Sequence, residues 1–99
     1  MSSELIKAME WLTWQLGMMY KVEEHNSTSF EVYGSEGQCT VEYNRHKEQV
    51  VVSLSYYSET SEDVGIDEQE GWDIRIDEEN EDLLMSEMES ILRWIRREM

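Results

Sequence analysis

The chain has 99 residues, and its 23 acidic side chains outnumber its 8 basic ones to give a formal net charge of −15. A polyanion is repelled by nucleic acid, which is excluded as a direct ligand, and for the same reason an anionic membrane surface is disfavoured. Apolar residues make up 39% of the chain, which is enough for one core and favours a single domain over residues 1–99. Cys39 is the only cysteine, so no intrachain disulfide can form. Without a signal peptide or an apolar run of membrane length, the expected location is the cytoplasm.

The acidic residues are concentrated in one part of the sequence. Residues 1–58 carry a net charge of −4, residues 59–82 carry −11, and residues 83–99 are neutral. A polar loop predicted over residues 58–70 holds six acids and no base. A small domain needs a net charge of only about 2–8 for solubility. We call residues 59–82 the acidic band. Its charge of −11 exceeds the charge needed for solubility, although a solvated face remains the alternative interpretation.

The first predicted element is a helix that begins after Ser2 and Ser3. Its core-facing apolar residues recur every three or four positions, as expected for one helical stripe: Leu5, Met9, Leu12, Leu16 and Met19. At about 100° per residue, Trp11, Trp14 and Met18 fall on the opposite side. A helix with two apolar faces must bury both, so the second face requires another layer, a second copy of the chain or a partner.

Period-two alternation predicts strands after this helix. Three strands joined by short polar turns are typical of an antiparallel meander, and a fourth short strand follows the loop; the ranges are 30–33, 39–43, 50–56 and 72–77. Leu84, Met88, Ile91 and Ile95 form the stripe of a final helix. The predicted fold is α+β, in the order α-β-β-β-(β)-α, with two helices packed on one face of an antiparallel sheet.

No residue pattern indicates catalysis, a cofactor or a metal, so a non-enzymatic protein is expected. His25 and His46 each stand alone in predicted polar loops, and Cys39 alternates inward with apolar residues. The acidic segment from Asp63 does not match a calcium-binding loop. Its sixth position is a glutamate instead of glycine, and its twelfth is Ile74 instead of glutamate.

The acidic band predicts a surface that binds a basic protein. A groove built from Lys and Arg to neutralise phosphates also accepts an array of carboxylates. The predicted partner-binding acids are Glu59, Glu62, Asp63, Asp67, Glu68, Glu70, Asp73, Asp77, Glu78, Glu79, Glu81 and Asp82. Carboxylates increase the association rate more than the affinity, so an apolar anchor is also expected. Trp11, Trp14 and Met18 are suitable residue types, with burial in a homodimer interface or under the long loop as the alternative.

The small size, the extreme acidity, the lack of catalytic residues and the helix–meander–helix layout resemble phage-encoded anti-CRISPR proteins and other DNA-mimic inhibitors. The resemblance covers the whole chain in composition and layout but includes no motif, so no residue is carried over. It implies a stoichiometric inhibitor that occupies the nucleic-acid groove of a host defence nuclease, in the host cytoplasm. Immunity proteins and antitoxins that block basic nuclease toxins are one alternative. An acidic secretion chaperone that binds an apolar segment is another.

Overall fold

The computed structural model describes residues 3–57, 66–74 and 81–99, without the side chains of Glu81 and Asp82. In chain order the elements are helix α1 (Ser3–Gly17), strands β1 (Lys21–Asn26), β2 (Ser29–Tyr33), β3 (Gly37–Asn44), β4 (Gln49–Tyr56) and β5 (Glu68–Asp73), and helix α2 (Glu81–Glu98). The strands form one antiparallel sheet in the order β1-β2-β3-β4-β5. The predicted α+β class and antiparallel sheet are confirmed.

Both helices pack on the same face of the sheet, as predicted. Strand side chains alternate between two faces, and the register places Val32 opposite Cys39 and Cys39 opposite Leu54 on the inner face. These residues form one buried cluster with the apolar stripes of the helices, including Leu12 of α1 and Ile91 of α2, all of which are fully buried. Burial of each large apolar side chain contributes about 1.5–3 kcal/mol before the entropy of ordering is subtracted.

Strand β1 was missed by the sequence prediction. It forms an antiparallel hairpin with β2, with an irregularity between Glu24 and Asn26. Only Val22 in this strand is half-buried, whereas its other residues are exposed. An edge strand is held mainly by backbone hydrogen bonds to one neighbour, and charged side chains there prevent pairing with other chains. The apolar alternation that identifies buried strands is therefore absent. His25, predicted in a loop, lies in this strand.

The prediction for the last strand was wrong in its bounds. Strand β5 spans Glu68–Asp73, so residues 68–70 of the predicted loop 58–70 pair with β4. Ile74 follows the strand and is buried, and its backbone N–H donates to the carbonyl oxygen of Glu48 at 2.8 Å. The remainder of the predicted strand, residues 75–77, lies outside the described residues.

Met19 is not part of the core stripe of α1. The helix ends at Gly17, and the backbone N–H groups of Met19 and Tyr20 both donate to the carbonyl oxygen of Leu16. Beyond this turn the helical spacing no longer applies, and the Met19 side chain is 56% exposed. Ala8 completes the buried stripe instead. Neither helix, over the residues described, has the length and apolar character needed to cross a membrane.

Candidate protein-binding surface

The face of the sheet opposite the helices carries carboxylates from four strands. The register places Glu23 opposite Glu31 and Asp73 opposite Gln49, all on the face that points away from the core. Glu42, opposite Val51, lies on the same face. Glu23, Glu42 and Asp73 are exposed, and Glu31 is half-buried. We call Glu23, Glu31, Glu42 and Asp73 the acidic sheet face.

Glu31 is the most constrained carboxylate of the acidic sheet face. It accepts a hydrogen bond from the Tyr33 hydroxyl, and its Oε1 lies 3.1 Å from Nε2 of His25. The Tyr33 bond and, after it, the His25 bond lower the pKa of Glu31 below its usual value, because both stabilise the ionised form. The same bond to Glu31 raises the pKa of Tyr33 to about 12. The carboxylate is therefore held charged and in a fixed position.

Two further described acids, Asp73 on this face and Asp67 at its edge, accept hydrogen bonds from neutral groups. Asp73 accepts a hydrogen bond from the Gln49 side-chain amide at 2.8 Å. Asp67, which precedes β5, accepts one from the backbone N–H of Tyr56 at 2.7 Å. Lys21 is the basic side chain in β1, and its ammonium lies 5.9 Å from the centroid of the Tyr33 ring. The face therefore keeps most of its negative charge.

The acidic band does not form one surface, because β5 divides it. Glu68 and Glu70 pair with Leu54 and Val52, so they lie on the helix side of the sheet. Glu70 lines a cleft of about 240 Å³ together with the α2 arginines Arg93 and Arg97. These two acids thus face the cationic end of α2 within the same chain.

Glu68 interacts with the end of α2. The carboxyl groups of Glu68 and Glu98 share a hydrogen bond, which raises the pKa of Glu68 and lowers that of Glu98. Glu98 also lies 3.2 Å from the Arg97 guanidinium, an interaction that favours its ionised form. This contact connects β5 with the last turn of α2.

The rest of the predicted band cannot be placed on either face. The acids that lie outside the described residues are Glu59, Glu62, Asp63, Asp77, Glu78 and Glu79. Glu81 and Asp82 begin α2, but their side chains are not described. Their predicted role in partner binding stays a prediction.

The proposed apolar anchors lie on the other side of the molecule. Trp14 and Met18 are 75% and 71% exposed, whereas Trp11 is half-buried and packs against the core. On a helix of about 100° per residue, Trp14 lies about 180° from the centre of the buried stripe. Because that stripe faces the sheet, Trp14 points away from the sheet. One flat interface cannot include both Trp14 and the acidic sheet face.

Glu23, Glu31 and Glu42 were missed as candidate binding residues. The signal for two of them was present, since Glu31 and Glu42 alternate with inward apolar residues of predicted strands. Their alignment depends on strand order and register, and on β1, which has no strong sequence signal. The densest run of acids in the sequence therefore does not indicate this surface, which is assembled from separate strands.

His25, His46 and Cys39 lie in three different parts of the described structure, namely β1, the turn after β3 and the core, and the expectation of a non-enzymatic protein stays a prediction. Within residues 3–57, 66–74 and 81–99, no group of three or more His, Cys, Asp or Glu side chains is placed to hold a metal. His46 lies in the turn after β3, where its backbone N–H donates to the side chain of Asn44. Burial raises the pKa of the Cys39 thiol to about 12, which makes it a poor nucleophile.

Comparison with known proteins gives no match for this chain. No protein-family model matches it, and neither a curated protein nor a solved structure matches it. The resemblance to DNA-mimic inhibitors thus stays at composition and layout.

Proposed function

We propose that this protein is a non-enzymatic inhibitor whose acidic sheet face occupies a basic groove of a nucleic-acid-binding protein, as DNA mimics of the anti-CRISPR type do. The observation that supports this function is the placement of Glu23, Glu31, Glu42 and Asp73 on one open face of a five-stranded sheet. An immunity protein against a basic nuclease toxin would use the same surface chemistry. The two differ only in the target.

A sheet is a suitable support for such an array. Neighbouring strands lie about 4.8 Å apart, and side chains on one face of a strand recur about every 6.7 Å. Duplex DNA carries one negative charge per roughly 1.7 Å of its axis, a denser array than the carboxylates of the sheet, so these carboxylates would pair with part of the cations in a groove that binds DNA. Because the backbone ladder already fixes the strands, no backbone entropy is lost when the carboxylates meet those cations, and the entropic cost is confined to the side chains.

The pair formed by Glu23 and Glu31 also favours a cationic partner. Like charges directly opposite each other on neighbouring strands destabilise a sheet, and these two residues are direct register partners. Glu31 has His25 beside it, but the described residues provide no ion pair for Glu23. A Lys or Arg side chain from a partner would relieve this repulsion.

Two triple variants with equal charge test the proposal. In the first, Glu23→Gln, Glu42→Gln and Asp73→Asn remove three charges from the acidic sheet face. In the matched control, Glu10→Gln, Glu87→Gln and Glu89→Gln remove three charges from the helices. Proteins captured from the native source by the wild type are identified, and their affinity for each variant is measured by calorimetry. We expect the sheet variant to bind at least about tenfold more weakly at physiological salt, and the control to bind nearly as wild type does.

Competition and salt dependence complete the test. Duplex nucleic acid should displace the protein from its partner, and affinity should fall steeply as the salt concentration rises. Equal losses for the two triple variants would contradict a role for the sheet face. Affinity that is insensitive to both salt and nucleic acid would instead support capture of an apolar segment, as in a secretion chaperone.

A further inference from the structure

Helix α1 carries little of the negative charge of this strongly acidic chain, because it holds two acids, Glu4 and Glu10, and one base, Lys7. Residues 1–22, which include α1, contain two acids and two bases. The whole excess of −15 therefore belongs to residues 23–99. The excess on α1 is a single carboxylate, so charge complementarity gives little reason for a basic groove to bind this helix.

The outer side of α1 is an exposed apolar stripe. Trp11 and Trp14 lie three residues apart on α1, and Met18 and Met19 follow directly after the helix ends at Gly17. Trp14, Met18 and Met19 are 75%, 71% and 56% exposed. With half-buried Trp11, they leave roughly 500 Å² of side-chain surface in water, which is at the upper end for the largest apolar patch of a monomeric protein.

We infer that a second copy of this chain covers the α1 stripe in a symmetric homodimer. If two α1 helices pack antiparallel about a two-fold axis, residues equally distant from the midpoint between Leu12 and Thr13 face each other. Trp11 then meets Trp14 of the second copy, and the apolar stem of Lys7 covers the second Met18. Each contact occurs twice, as a two-fold interface requires.

The area and the charge distribution both favour a second copy. A stable interface buries about 800 Å² on each partner, with an apolar centre and a polar rim. The stripe supplies the centre, and Lys7, Glu10 and Gln15 lie beside it on α1 to form the rim. The acidic sheet faces point to opposite ends of such a dimer. Two helical layers of about 10 Å each separate them, which exceeds the Debye length of about 8 Å at physiological salt.

Sedimentation equilibrium tests the dimer with the full chain. At 100 μM the wild type should have twice the chain mass of 11.8 kDa. Trp14→Glu should weaken dimerisation at least about 100-fold, since a central Trp that is replaced by a charge is the strongest disruption expected at an interface. Ile66→Glu adds the same charge at another exposed apolar residue, before β5, and should leave the dimer unchanged.

Salt and fold controls make each outcome decisive. Raising the salt from 50 to 500 mM should preserve the dimer, because its interface is neutral and apolar. Circular dichroism and thermal melting should show that Trp14→Glu is folded, because the Trp14 side chain is exposed. A wild type that is monomeric at 100 μM at both salt concentrations would overturn the inference, as would equal dimerisation constants for Trp14→Glu and Ile66→Glu. No basic ligand is used, so the result is independent of the proposed inhibitory function.

Discussion

The Cys39 thiol is expected to make stability fall in alkaline solution. Cys39 is fully buried between Val32 and Leu54 in the sheet, and this burial raises its pKa from 9.0 to about 12. The pKa of Cys39 is higher in the folded state than in the unfolded state, so the neutral thiol stabilises the fold. This contribution to the unfolding free energy is complete below pH 9 and is lost as the pH rises towards 12. Proton linkage with these two pKa values predicts that the unfolding free energy falls by about 1.3 kcal/mol from pH 8 to pH 10.

Paired unfolding curves isolate this contribution. Urea unfolding of the wild type and of Cys39→Ala is followed by Trp fluorescence at pH 8, 9 and 10 in the presence of a reductant. Cys39→Ala loses packing at every pH, by about 1–2 kcal/mol, but it has no thiol to ionise. The difference in unfolding free energy between the two proteins should therefore shrink by about 1.3 kcal/mol from pH 8 to pH 10. A difference that stays constant with pH would refute the reasoning.

Two further predictions concern backbone geometry. A Cβ on Gly37 would lie 2.7 Å from the Ser55 carbonyl oxygen, so Gly37→Ala should lower the unfolding free energy by about 1–3 kcal/mol. A Cβ on Gly17 meets no atom within 4 Å, so Gly17→Ala should raise the unfolding free energy by about 0.5–1 kcal/mol. Thermal melting compares them, and changes of the same sign would contradict the contact geometry. Glu48 has a φ of 52°, so Glu48→Gly should stabilise by up to about 1 kcal/mol in urea titrations, and Glu48→Ala, which keeps the strain, should not.

Much of the fold could be predicted because the residues that become buried are apolar and recur with the period of their helix or strand. Strands β2, β3 and β4 each bury alternate side chains, and α2 buries a continuous stripe, so both periods were visible in the sequence. Strand β1 lacks this alternation of apolar residues because it is an edge strand with one half-buried side chain. The predicted range of β5 was displaced towards the C-terminus because Trp72 is the one partly buried residue of this strand. The prediction therefore began at Trp72, whereas the strand begins at Glu68.

The candidate site was less predictable because it depends on which acids share a face. Asp73 and Glu70 are neighbours in sequence but lie on opposite sides of the sheet, since side chains alternate along a strand. Glu31 and Asp73 are distant in sequence but share a face through the register of three strand pairs. Local charge density contains no information about this pairing.

The sequence by itself determined the net charge of −15, its concentration outside α1, the apolar faces of both helices and the α+β class. These properties follow from composition and from periods within single elements. Only the tertiary structure decided that Glu23, Glu31 and Glu42 line one face and that Trp14 points away from it. The physical reason is that strand register and helix placement are set by burial of the whole core, which no single segment specifies.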